Sequence, residues 1–377
     1  MKMVIPIMVQ PTTENYYWVK NVLAGMRSGA ARYDCEMLTL DRNAIQKGCL
    51  AKGMPILVNG HMEEWLSDTA EFLARSGYAP IIVNSSIVLS RKFKYSGVRF
   101  DLESGIRDIV EYCIADGRRN MALFGVRPDL SGGDREKTQL FLQKAREYCL
   151  TEPRVCCLGN SLDACIDEFI TCFFDNSIDA VICANDTIAI LLIQEMLKNG
   201  IRIPDDLYVF GVGNSPVGQW LGVPLISLKV DYFEMGKQAV RLWRYLYRDG
   251  MNVDITVSVF CQLNVQNAKM DALTQQADKE DAVERICAHC RDWDDFFYED
   301  ERVNRLLKLE ALLRECDEVD LALLEAVKNG KTDESVADEI YLSSRAVRYR
   351  FSKLIKKAGV QDRGQLVALL KEFLKTL

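Results

Sequence analysis

Seven apolar runs recur along the first two thirds of the chain. They are VIPIMV from Val4, MPILVNG from Met54, APIIVN from Ala79, NMALFGV from Asn120, DAVICA from Asp179, LYVFGVG from Leu207 and LISLKV from Leu225. Between them lie segments whose apolar residues return every three or four positions, over 18–31, 62–76, 102–116, 134–148, 187–199 and 233–248. Short continuous apolar runs read as strands buried on both faces, and the amphipathic segments read as the helices that cover them. There are too many strands for one small sheet. The pattern therefore predicts an α/β two-lobed region over 1–265, built as two doubly wound parallel sheets, with a cleft at the C-terminal strand ends. The chain is expected to cross between lobes near 97–101, 228–232 and 250–254.

Beyond this region the period becomes helical. Over 266–316 two stripes stand out, one of Val283, Ile286, Cys290, Trp293 and Phe297, the other of Val303, Leu306, Leu307, Leu309 and Leu313. They predict two amphipathic helices around an acidic, aromatic loop at 292–301, either packed on the first region or pairing with a second copy in a homodimer.

Residues 317–377 predict a small all-α unit containing a helix-turn-helix. Thr332 or Asp333 is placed to cap a short helix with Val336, Ala337 and Ile340 inside, and Leu342 fills the turn. Ser343 can N-cap the next helix and Gly359 end it. That helix buries Val347, Phe351, Leu354 and Ile355, and Asp362 with Gln365 opens a further helix lined by Leu366, Leu369, Leu370 and Phe373. The middle helix presents Arg345, Arg348, Tyr349, Arg350, Lys353, Lys356 and Lys357. Residues 345–363 carry a net charge of +6 in a chain whose total is −7. A solvated cationic face is the bland reading. The concentration of charge on the helix that such a motif inserts into the major groove points to double-stranded DNA. Arg345, Arg348 and Tyr349, in its first turns, are expected nearest the bases. Lys353, Lys356 and Lys357 lie farther along, nearer phosphates, and Thr332 and Ser343 offer hydroxyl or backbone contacts at helix starts.

Two resemblances follow from these residues. LLEAVKNGKTDESVADEIYLSSRAVRYRFSKLIKKAGVQDR resembles the LuxR/GerE-type helix-turn-helix, with Gly330 after the first helix, Ala337 in the second, Leu342-Ser343 at the turn, Val347 in the recognition helix and Gly359-Val360 after it. Arg348, Tyr349 and Arg350 stand where that family often has Lys, a small residue and His, so the base sequence it reads does not transfer. The first region is similar to the periplasmic-binding-protein-like sensor domain of lac-repressor-type and purine-repressor-type regulators. DAVICANDTIAILLIQEMLKNGIRIPDDLYVFGVGNSP and PLISLKVDYFEMGKQAVRLWRYL carry the second-lobe match, and VQPTTENYYW and VRFDLESGI a looser first-lobe match. Those regulators carry their DNA-binding module at the N-terminus, whereas here the matching module is at the other end.

The second resemblance implies a small polar effector between lobes, and each candidate contact has its own chemistry. Arg135 offers paired donors to vicinal hydroxyls or a carboxylate. Asn185 and Asp186 follow a strand, and Asp186 is an equally good N-cap for the next helix, or serves in both roles. Asn15, Tyr16, Tyr17 and Trp18 follow the first strand, where an aromatic face stacks on a sugar or a base. Asn84 and Asp101 follow or end other strands, with Asn84 read first as a turn residue. Sugar-binding relatives commonly carry two aspartates where this chain has Gly213 and Asn214. Asn214 can still hydrogen-bond but supplies no anion, and a sugar, a nucleoside or another small polar molecule all remain open.

Composition narrows the class. Hydrophobic residues make up 49% of 377, enough for large cores. No run of about 18 apolar residues suggests a membrane span. The start is too short and too soon polar for a signal peptide, which argues for a cytoplasmic protein. The 13 cysteines, an odd number scattered through apolar segments, read as reduced thiols. Cys287 and Cys290 have metal-ligand spacing around His289, but no second pair is near to complete four ligands, so no cofactor or metal is expected. Two histidines in unrelated segments, with no nucleophile elbow, Walker loop or zincin motif, argue against an enzyme. A transport receptor would need export and has no use for a helix-turn-helix. The remaining alternative to a ligand-responsive transcription regulator is a receptor-like sensor whose C-terminal unit binds a protein.

Overall fold

The computed structural model describes residues 3–11, 13, 16–83, 93–159, 161–250, 253–265, 285–286, 297 and 299–374. Asn15, Asn84, Cys287, His289, Cys290 and most of the first expected linker helix lie outside these residues.

Two sheets form the first region, as the apolar runs predict. A six-stranded sheet has the order β11-β5-β4-β3-β1-β2, and a seven-stranded sheet the order β12-β10-β9-β8-β6-β7-β13. In the first, β1 is Met3–Val9, β2 Cys35–Thr39, β3 Pro55–Asn59, β4 Ala79–Val83, β5 Ser96–Asp101 and β11 Thr256–Phe260. In the second, β6 is Met121–Val126, β7 Arg154–Cys157, β8 Ala180–Cys183, β9 Tyr208–Val212, β10 Ile226–Lys229, β12 Gln262–Asn264 and β13 Arg285–Ile286. Neighbouring strands run parallel except β10 with β12, which are antiparallel. The short pair β13, beside β7, lies where a helical period was expected. The strands that the periodicity missed are chiefly edges such as β2, with a half-exposed pattern instead of a continuous apolar run.

The helices of the first region are α1 Tyr17–Arg32, α2 Arg42–Gln46, α3 Glu63–Arg75, α4 Leu102–Ala115, α5 Gly132–Glu147, α6 Leu162–Asn176, α7 Asp186–Lys198 and α8 Tyr232–Asp249. The chain crosses between lobes after β5, after β10, and at Cys261 between β11 and β12. The third crossing is therefore not at 250–254, because β11 still belongs to the first sheet. Helices α1 and α8 cross at contact distance: a Cβ on Gly25 would lie 1.9 Å from Phe233 O, and one on Gly236 2.0 Å from Val22 O. Only glycine lets two helix backbones approach this closely.

The C-terminal part is helical throughout: α9 Glu301–Arg314, α10 Glu318–Lys328, α11 Asp333–Glu339, α12 Ser344–Ala358 and α13 Arg363–Phe373. Each start is capped by a side chain: Asp300, Asp317, Thr332, Ser343 and Asp362 accept from backbone N–H groups of the first turn. This accounts for helices as short as α11, which could not persist alone. The stripe of α9, Val303, Leu306, Leu309, Leu312 and Leu313, is buried in a core continuous with both lobes and with Leu323, Phe351 and Leu370. Of the two arrangements expected for this stripe, packing on the first region or pairing with a second copy, the described residues show the first. Helix α9 packs inside the chain and leaves that stripe no free area.

Candidate functional site

A cavity of about 550 Å³ opens where the two lobes meet α9. Its walls are the start of α1 with Tyr16, Tyr17, Trp18 and Asn21, the α7 start with Asn185 and Asp186, the β9 end with Gly213 and Ser215, and Tyr232 after β10. These are C-terminal strand ends and helix N-termini, the place where an α/β crevice collects side chains from several elements. Tyr232 holds the aromatic wall together. Its ring lies 6.5 Å from Tyr17, edge-on, 6.4 Å from Trp18 and 5.3 Å from Phe100.

Asn185 and Asp186 divide their work differently from the expected scheme. Asn185 is the N-cap, accepting from Ile188 N–H at 3.0 Å. Asp186 is the first helical residue, and its carboxylate accepts from the Ser215 backbone N–H and, at 2.7 Å, from the Ser227 hydroxyl. The side chain fits only because β9 has glycine beside it: a Cβ on Gly211 would lie 2.0 Å from Asp186 Oδ1. Burial pushes the Asp186 carboxyl up to about 6, against the opposing pull of the Ser215 and Ser227 bonds. Burial also raises the Tyr232 hydroxyl, with Asp186 and Glu310 adding to the shift.

Three expected contacts lie elsewhere. Arg135 does not line the cavity. Its guanidinium donates to Pro128 O at 3.0 Å and to Glu63 Oε1 at 2.9 Å, joining α5 of the second lobe to α3 of the first. Asp101 caps α4 through Ser104 N–H. Asn214, at φ 54°, accepts from Asn264 Nδ2 at 2.7 Å and stays outside the wall. Tyr232 and Ser215 were missed, although Tyr232 stands at a lobe crossing that the sequence does locate. Glu310 and Arg314 were missed because nothing in a helical repeat says which lobe its polar face meets. Among the described residues no group of three His, Cys, Asp or Glu side chains could hold a metal, and the described cysteines are free thiols. Of these, Cys149 and Cys172 are half-buried and Cys49 is exposed, so burial is not general.

The second site is a helix face. Val347, Phe351, Leu354 and Ala358 bury one side of α12, and Arg345, Arg348, Tyr349, Ser352, Lys353 and Lys356 are exposed on the other. Tyr349 is 72% exposed, and Tyr341, in the turn before α12, is 95% exposed at φ 54°. Two of the expected DNA contacts are bound inside the protein. Arg350 pairs with Asp317 at 2.9 Å and Asp320 at 2.6 Å, and Lys357 donates to Glu315 O at 3.0 Å. The expected cationic face is thus narrower than the sequence count. Thr332 and Ser343 bond to Ser335 N–H and Ala346 N–H as caps.

Residues 110–265 match the periplasmic binding protein-like domain family. The HTH-type transcriptional repressor PurR of Vibrio parahaemolyticus is 35% identical over 63 residues, 17% of this chain and 19% of the repressor. The arabinose metabolism transcriptional repressor of Geobacillus stearothermophilus is 28% identical over 159 residues, 38% of this chain and 41% of the repressor. The chain thus spans between about a fifth and two fifths of the lengths of these curated relatives. The structure of a transcriptional regulator CelR-cellobiose complex superposes with a TM-score of 0.58 over 70% of this chain and 83% of that one, at 16% identity. Among the described residues no helix is long and apolar enough to cross a membrane. The chain has a two-sheet, parallel α/β, periplasmic-binding-protein-like fold, and residues 110–265 carry the match to that family.

Proposed function

We propose that this chain is a ligand-responsive transcriptional regulator, in which a small polar effector in the interlobe cavity controls DNA binding by a C-terminal helix-turn-helix of LuxR/GerE type. The observation that carries the reading is the exposed face of α12. Arg345, Arg348, Lys353 and Lys356 form an open row on a helix whose opposite side is buried, in a chain that also holds an aromatic cavity between two lobes. An exposed cationic face on such a helix is the kind of surface that a helix-turn-helix presents to phosphates and base edges in a major groove. The similar proteins, the transcriptional repressor PurR, an arabinose metabolism transcriptional repressor and a transcriptional regulator in complex with cellobiose, support both the class and a sugar or related metabolite as effector.

Double-stranded DNA with two-fold half-sites would be read by a homodimer, with its interface away from the buried stripe of α9. No enzymatic step is assigned, and the cytoplasm is the compartment that suits the role. The test is a salt titration of the full chain on a selected operator and on random DNA. A steep loss of affinity with salt and a preference for the operator are expected. No binding to either DNA at low salt would reject the reading and leave a sensor whose C-terminal helices bind a protein.

A further inference from the structure

The interlobe cavity has a third wall that neither lobe supplies. Leu307, Glu310, Ala311 and Arg314, all on α9, line it. Helix α9 spans the two lobes: near its start Arg302 pairs with Asp163 of α6 at 2.5 Å, and at its end the Arg314 guanidinium lies 3.5 Å from the centre of the Tyr17 ring. Arg314 Nε and Nη2 both donate to Glu310 Oε1, at 3.0 and 2.6 Å. That arrangement leaves Glu310 Oε2 to accept and Arg314 Nη1 to donate. Both side chains are largely withdrawn from water, at 12% and 18% exposed. The Ser215 hydroxyl, in a residue 6% exposed on the opposite wall, has no hydrogen-bond partner.

The chemistry of the wall selects its occupant. Lys20 and Arg314 stand against Asp186, Glu310 and Glu315, so the cavity has no cationic excess with which to attract an anion. Tyr17, Trp18 and Tyr232 present ring faces and edges that suit an apolar ring surface. A neutral ring bearing adjacent hydroxyls satisfies both features. Its face would pack on the aromatics, one hydroxyl would donate to Glu310 Oε2, and its neighbour would accept from Arg314 Nη1.

We infer that Glu310 and Arg314 are specificity-determining ligand contacts, so that the helix leading into the C-terminal helices reads the occupant of the cleft directly. The inference rests on the proposed reading of the cavity as an effector site. Because α9 shares one core with α10, α12 and α13, holding α9 also holds the basic face of α12 in place relative to the lobes. A ligand that bonds to α9 and to both lobes strengthens the docking of the C-terminal helices, and by linkage that docking strengthens ligand binding by the same factor.

The test uses the full chain with four probes: glucose, ribose, arabinose and cellobiose. Hydrogen exchange and titration calorimetry are run on the unsubstituted chain, on Glu310→Gln, on Arg314→Lys and on Arg302→Met. The best-binding saccharide should slow exchange in both 186–198 and 301–314. Glu310→Gln should lower its affinity about ten- to a hundredfold, the worth of a hydrogen bond to a charged group, and change the order of the four sugars. Arg302→Met alters only docking and should weaken all four alike, in unchanged order. If Glu310→Gln fails to fold, Arg314→Lys must reorder the sugars instead. Protection of 186–198 without 301–314, or an unchanged order in both cavity variants, would overturn the inference and leave the effector reading intact. No protection anywhere by any of the four sugars would overturn both.

Discussion

At the scale of single residues, two side chains hold conformations or charge states that the fold alone does not favour. Asp186 is 3% exposed, and its carboxyl stands at about 6 against an ordinary 3.8. A carboxyl raised in the folded state binds its proton more tightly folded than unfolded. Its contribution to stability is therefore greatest below about pH 4, falls as the pH rises to about 6, and is a constant penalty above that, on the order of 3 kcal/mol. Asp186→Asn keeps an acceptor for the Ser215 N–H and removes the charge. It should raise the denaturation midpoint at pH 7 and flatten the pH 4–6 slope, as read by urea unfolding across that range. A slope identical to the unsubstituted chain would place the titration on another group. Tyr341 is the second case. A tyrosine at φ 54° whose ring is 95% exposed gains nothing from packing. Tyr341→Gly should stabilise the C-terminal helices by roughly 0.5–1 kcal/mol, since glycine carries no left-handed penalty. If the ring serves the DNA face it adjoins, the same variant should bind operator more weakly. Higher stability with unchanged binding would reduce Tyr341 to a turn residue.

At the scale of elements, periodicity located most of the buried pieces, passed over the interior strand β7 and the helix α6 despite its buried Leu162, Ile166 and Phe169, and failed where polarity decides the contact. Strands such as β8, with every residue buried, read directly from the sequence. Edge strands such as β2 and β12 did not, because a strand wetted on one side loses the apolar run. The sequence predicted caps at Thr332, Ser343 and Asp362, since an N-cap is a local bargain between a side chain and the next turn. The fate of Arg350 was not legible, because its partners Asp317 and Asp320 lie on another helix. The same logic separates it from Arg348 experimentally. Arg350→Ala strands Asp320, 7% exposed, without its cation and should cost about 1–3 kcal/mol of stability, visible as a lower thermal midpoint. Arg348→Ala should leave the midpoint within about 0.5 kcal/mol and cost roughly 1–3 kcal/mol in operator binding, with less lost on random DNA. Equal losses on both DNAs would make Arg348 a phosphate contact.

At the scale of the whole molecule, the question is what Arg135 does between two lobes that meet at one cavity. It lies away from the cavity walls and joins α5 to Glu63 of α3 at 2.8 Å, near a second interlobe pair, Arg99 with Glu136 at 2.9 Å. A ligand contact and a lobe tie behave differently under substitution. A contact loses its bond to the effector whatever stands at position 63, and truncating one partner of a buried charge pair costs about 2–5 kcal/mol. A tie acts only through its partner, and this pair, with Arg135 42% and Glu63 27% exposed, is open to solvent and should be worth only about 0.5–1 kcal/mol. Arg135→Ala and Glu63→Gln should therefore weaken effector binding by similar small amounts. The double variant should be little worse than either, because each change removes the same bond. Calorimetry of the three variants with the best-binding saccharide decides it. If Arg135→Ala costs ten times more affinity than Glu63→Gln and the losses add, the guanidinium leaves Glu63 for the effector when the lobes close. If they do not add, the hold of the lobes on each other and on α9 sets how readily the cleft is filled.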